Sequence, residues 1–130
     1  MEYKKIDKLY RGMNTSMHKD ILERGFTLNP KHNGGGIMFT SIYKEAERYA
    51  KSYCTTSVGC KPIEGEEPIV ITIDSSGFKI VAREKEDDKL RIAEKLFAEG
   101  LADGVYSDTN PIAEYYVVYN VEKLNNSIRK

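Results

Sequence analysis

Along this chain the spacing of apolar positions changes from element to element. From Ile42, apolar or small residues recur at Ala46, Tyr49, Ala50 and Tyr53. Those offsets build one face of a helix over 42–53, with Lys44, Glu45, Glu47, Arg48 and Lys51 on the polar side. A shorter helix is predicted in "NTSMHKDILERGF", with Thr15 or Ser16 as N-cap, Ile21 and Leu22 turned inward and Gly25 as the stop. A third is expected over 84–99, with Leu90, Ala93, Leu96 and Phe97 inward, Gly100 as the stop, and acidic residues at the end where the helix dipole favours them.

Strand patterns lie between these helices. "IDKLYRG" (6–12) alternates in part, "IMF" (37–39) is short and apolar, and "IVITI" (69–73) is rich in β-branched residues. "FKIV" (78–81) follows, and Ser75-Ser76-Gly77 is suited to close a hairpin between the two. The last strand, "EYYVVYNV" (114–121), alternates so that Glu114, Tyr116 and Val118 share one face and Tyr115, Val117 and Tyr119 the other. Residues 27–36, with Pro, Asn and a glycine triplet, and "SVGCKPIEGEEP" read as loops. Strands and about three helices in no strict alternation predict an α+β fold.

Composition narrows the picture. At 130 residues, 40% hydrophobic and 31% charged, the chain fits one globular domain. Twenty basic and twenty acidic side chains cancel, which argues against non-specific attraction to nucleic acid or anionic membrane. No stretch has the apolar length to span a bilayer and "MEYKKIDKLY" lacks a signal-peptide core, so a cytoplasmic location is expected, secretion by another route staying open. Cys54 and Cys60 read as reduced thiols near a loop, with a local disulfide as the alternative; with His18 and His32 far off in sequence, no four-ligand zinc site is expected.

The common nucleotide, metalloprotease and hydrolase motifs are missing from the sequence. Three stretches retain chemical interest: "LYRG", "GGGIMFTSIYKEAERYA" and "GLADGVYSDTNPIAEYYVVYN". Arg11, at a strand end before Gly12, can aim a guanidinium fork at phosphate or carboxylate, or serve as a solvated or ion-paired arginine. Thr40 and Ser41 stand where strand becomes helix, so Ser41 can cap that helix and also face a polar ligand. Tyr49 fits the core by spacing and can equally stack on a planar ring in a cleft. Glu114 is either solvated or the carboxylate of a site.

In this order the three stretches resemble the ADP-ribosyltransferase superfamily. "LYRG" is similar to the arginine strand of its Arg/Ser/Glu class, and "MFTS…EAERYA" to that class's aromatic-Thr/Ser-Ser strand and following helix. "DGVY…AEYYVVYNVEKL" resembles the ending of small bacterial and phage members, where a glutamate at the strand start is catalytic. The resemblance implies one ADP-ribosyltransferase-like domain over 1–130 with a split β-sheet core. Arg11, Ser41 and Glu114 are its implied catalytic residues, and Tyr10, Arg11, Gly12, Gly36, Phe39, Thr40, Ser41, Tyr49 and Tyr115 would bind NAD, the co-substrate, without a metal. The implied activity is transfer of a single ADP-ribose to a macromolecular acceptor, as a bacterial or phage effector or toxin, with an antitoxin or inhibitor protein as a candidate partner. An NAD glycohydrolase toxin and a catalytically degenerate nucleotide- or protein-binding module are the alternatives. Met38, in place of the tyrosine of the polymerase-like branch, favours the Arg/Ser/Glu class, and Ile112 stands where arginine-modifying members carry an acid or glutamine. Counted back from "VVYN" without a gap, Tyr115 falls at the glutamate position, and Glu114 reaches the cleft only through a bulge or shifted register.

Overall fold

A computed structural model describes residues 3–28, 36–82, 97–107 and 115–128. In chain order it contains β1 (Tyr3–Lys4), β2 (Lys8–Met13), α1 (Thr15–Arg24), β3 (Ile37–Thr40), α2 (Tyr43–Ser52), β4 (Ile69–Asp74), β5 (Ile80–Ala82), β6 (Gly104–Ser107), β7 (Tyr115–Val118) and α3 (Val121–Ile128). The fold is α+β: the described residues form three helices of eight or more residues and a seven-stranded sheet of order β1-β5-β6-β7-β3-β2-β4. Among these strands only the β5–β6 pair is parallel.

That order forces the sheet to curl. Strands β1 and β2 are first and sixth in it, which on a flat sheet puts them about 24 Å apart. Their connection, Lys5 to Asp7, reaches about 14 Å when fully extended. The connection from β4 to β5 meets it at the same corner: buried Ser75 donates its amide to the Asp7 carbonyl (3.0 Å) and its hydroxyl to the Ile6 carbonyl (2.6 Å). Hence Ser75-Ser76-Gly77 does not close a hairpin. Strand β4 pairs with β2, and β5 pairs with β1 and β6, so each finds its partners far from the local turn.

Strand β7 sits at the centre and joins the two halves, with Ile37↔Val118 through Thr40↔Tyr115 on one side and Gly104↔Val118 through Ser107↔Tyr115 on the other. Its predicted alternation is seen. Tyr116 and Val118 enter the main core with Leu9, Phe39, Ile73 and Ile80, while Val117 and Tyr119 join a second cluster with Val105. The strand stops at Val118, short of the expected 121, and Val121 opens α3, whose Leu124 is fully buried in the main core.

Helix α1 is capped by Asn14, whose Oδ1 accepts from the Met17 amide at 2.9 Å, rather than by Thr15 or Ser16. Those two hydroxyls are engaged with the segment after α2: Thr15 Oγ1 accepts from the Glu67 amide, and Ser16 donates its amide and hydroxyl to the Glu66 carboxylate. Gly25 ends α1 at φ 78°, as predicted, but Leu22 is exposed and only Ile21 packs against the core. Of the helix expected over 84–99, residues 84–96 lie outside the described residues. Its end is described: Gly100 adopts φ 73° and donates its amide to the Phe97 carbonyl.

Helix α2 packs on β2 because Gly12 has no side chain. A Cβ there would lie 1.9 Å from the Ala46 carbonyl oxygen and 2.6 Å from the Ala50 amide nitrogen. Ala46 and Ala50, at the predicted helical spacing, complete this close approach. Gly36 likewise leaves room for Val117 and Tyr119.

Candidate active site

A cavity of about 550 Å³ opens between β2, β3, α2 and the Tyr115 end of β7. That volume is ordinary for a small-molecule site. Its wall includes Tyr10, Arg11 and Gly12 from β2, Gly36, Phe39 and Thr40 in and before β3, Tyr49 from α2, and Tyr115 from β7. Three stretches far apart in sequence thus meet on one hollow. Helix α2 brings Tyr49 because its Ala46 and Ala50 face fits against Gly12, and β7 brings Tyr115 because Tyr116 is committed to the core.

Arg11 is half-buried. Its Nη1 donates to the Met38 carbonyl at 2.7 Å, while its buried Nε has no hydrogen-bond partner among the described residues. Burial lowers the guanidinium pKa from its ordinary value, yet an arginine remains charged. A half-buried cation whose buried Nε–H has no described partner marks a place for an anionic or strongly accepting group.

In the same lining the Tyr49 and Tyr115 hydroxyls are 2.8 Å apart and share a hydrogen bond, their rings meeting at 61°. Burial first, then the hydrogen bond shared with Tyr49, pushes the Tyr115 phenol up to about 12. Arg48 lies over the outer face of Tyr49, 4.8 Å from the ring centre, and is held by Glu45 at 2.8 and 3.1 Å. Thr40 is buried, and its Oγ1 accepts from the Ile42 amide at 3.1 Å.

Ser41 departs from expectation. The N-cap of α2 is Ile42, with no side-chain cap bond, and the Thr40 hydroxyl takes the Ile42 amide. Ser41 is not among the cavity-lining residues. Gly12 lines the cavity, but its close approach is to α2, so packing already accounts for the glycine. Glu114 lies outside the described residues, as do Gly34, Gly35 and Ile112. The cavity also takes in Thr27, Met38 and Tyr53, which the sequence reading did not assign to it. The sequence signal for Tyr53 is its place on the apolar face predicted over 42–53; in the structure it is the C-cap of α2. Its carbonyl accepts from Asn14 Nδ2 at 2.9 Å, so the residue capping α1 also fixes this corner of the wall.

The "DG" that begins the third stretch is structural. Asp103 is buried; its carboxylate accepts from the Lys79 amide, Asn120 Nδ2 and Lys123 Nζ at 2.7–2.8 Å. Desolvation alone would raise its pKa, but these donors outweigh it and hold the carboxyl below the usual aspartate range. Gly104 lets β6 approach β7, a Cβ there meeting the Val117 carbonyl oxygen at 2.6 Å.

Cys54 is buried and Cys60 exposed, both free. Among the described residues no group of three or more His, Cys, Asp or Glu could hold a metal ion, and no helix is long and apolar enough to cross a membrane. No protein-family profile, curated protein or solved structure matches this chain.

Proposed function

We propose that the cavity binds NAD and that the chain is a mono-ADP-ribosyltransferase with an ADP-ribosyltransferase-like split sheet. One observation carries this reading: Tyr10-Arg11-Gly12, Phe39-Thr40, Tyr49 and Tyr115, the stretches in which the resemblance resides, line one hollow. The Arg11 Nε, without a partner among the described residues, fits the pyrophosphate of a dinucleotide.

In this scheme Arg11 holds the phosphates, and the aromatic and apolar lining of the hollow excludes water. The bond from ribose C1′ to the nicotinamide nitrogen breaks, its electron pair leaving with neutral nicotinamide. The sugar passes through an oxocarbenium-like state, stabilised by a carboxylate on the 2′-hydroxyl, for which Glu114 is the assigned residue. The acceptor's nucleophile then bonds to C1′ and gives up its proton. The acceptor is a macromolecule. An effector or toxin role, with a cognate inhibitor protein, is part of the same proposal.

A second reading, a nucleotide-binding module without turnover, is favoured by Tyr115. A neutral phenol lines the cleft at the register position where the resemblance calls for glutamate. Incubation with adenosine-labelled NAD separates these. Label on a macromolecule, abolished in Glu114→Gln with binding retained, supports transfer; free labelled ADP-ribose supports hydrolysis. A rise in melting temperature with NAD intact supports the binding module.

A further inference from the structure

We infer that the Tyr49–Tyr115 phenol pair is a second ligand anchor, donating a hydrogen bond to an anionic oxygen of the molecule that Arg11 holds. This deepens the nucleotide reading, on which it rests, by assigning the Tyr49–Tyr115 side of the same cavity to a phosphate oxygen.

Two phenols carry two protons, and the pair uses one of them in its own bond. The other O–H belongs to whichever oxygen accepts that bond, and it has no further partner among the described residues. Accepting a hydrogen bond polarises a hydroxyl and makes it a better donor. The Tyr115 phenol, pushed up to about 12, keeps its proton throughout the physiological range. Thr40 adds to the same bias: its oxygen already accepts from the Ile42 amide, which leaves its proton to donate.

Among the described residues lining the cavity there is no aspartate or glutamate and Arg11 is the one full charge; the Glu45 carboxylate, which also acts on Tyr115, is paired with Arg48 at 2.8 Å. Around a cavity of about 550 Å³, roughly 10 Å across if spherical, these donors can engage a single ligand. A guanidinium, a polarised phenol and a threonine hydroxyl together complement a group that only accepts. A bare hydroxyl or base edge leaves at least one of them unmatched.

The test is calorimetric titration of ADP-ribose, inorganic pyrophosphate and adenosine into wild type, Tyr49→Phe, Tyr115→Phe and the double variant. The expected result is a loss of about 3-fold in each single variant and about 10-fold or more in the double, for both phosphate probes. Hydroxyl loss leaves the rings in place, so melting temperatures should stay near wild type. Wild-type affinity in the double variant, with binding lost in Arg11→Ala, overturns the phenol anchor and leaves nucleotide binding intact. An equal loss for adenosine also overturns it, because the pair would then face the base. Pyrophosphate binding that needs both Arg11 and the pair, without ADP-ribose binding, supports the anchor and removes the nucleotide reading. Failure of wild type to bind either phosphate probe overturns both.

Discussion

The two ends of β7 handle polar groups in opposite ways. At the Val118 end, Asp103 accepts from a backbone amide, a side-chain amide and an ammonium, while its carbonyl takes the Tyr119 amide, so strand, following turn and α3 are tied into one network. At the Tyr115 end, a buried guanidinium nitrogen has no described partner and a phenol pair retains a proton. Satisfied buried networks rigidify a fold, whereas underused ones in a cavity are where ligands complete the pairing. One strand thus serves architecture at one end and the candidate site at the other.

Asp103→Ala should produce the largest effect on stability. It strands the Lys79 and Asn120 donors, and we expect a loss of about 3 kcal/mol in denaturant unfolding with ligand affinity unchanged in the fraction that folds. A similar loss of affinity would mean that the two ends are coupled.

Arg11→Ala should show the converse. Removing a charged anchor is expected to weaken ADP-ribose or NAD binding about 30-fold, corresponding to about 2 kcal/mol, with a smaller change in melting temperature than Asp103→Ala. A large stability loss with binding intact would reassign Arg11 to architecture.

Asn14 separates the two roles within one residue. Asn14→Ala should cost about 1 kcal/mol through the lost cap of α1. Asn14→Asp keeps the cap but cannot donate to the Tyr53 carbonyl, so its stability should stay close to wild type while amides near Tyr53 exchange faster by mass spectrometry. Unchanged exchange in both variants would show that the tether does not hold the wall.

The smallest effect concerns the alkaline limb. Tyr115 has its folded pKa raised above the ordinary 10 to about 12. Its contribution to stability is therefore complete below about pH 10 and lost as pH rises towards 12. Ultraviolet titration of phenolate should show a late-ionising tyrosine that disappears in Tyr115→Phe. A wild-type curve with no late component would contradict the half-buried, hydrogen-bonded pair.

These contrasts also explain what the sequence reveals. The face of α2 is readable because Ala46, Tyr49, Ala50 and Tyr53 repeat within one element, and Tyr115 and Tyr116 separate by simple alternation. The cap of α1 is not, since Asn14, Thr15 and Ser16 are all competent and only the positions of Glu66 and Glu67 decide among them. The hairpin expected at Ser75-Ser76-Gly77 fails because strand pairing is settled by distant partners. Helix α3 shows apolar spacing at Val121, Leu124 and Ile128, but that run follows directly on a strand of the same apolar character. The Asp103 network joins residues 79, 103, 120 and 123, a conjunction that no local pattern signals.

The central place of β7 also bears on how the protein is made. Strands β2, β3 and β4 can associate early on the ribosome, as can β5 and β6, but the seam between the halves closes only when residues 115–118 emerge. Until then the edges of β3 and β6 remain open, a nascent-chain state that invites chaperone capture and makes late synthesis the vulnerable interval.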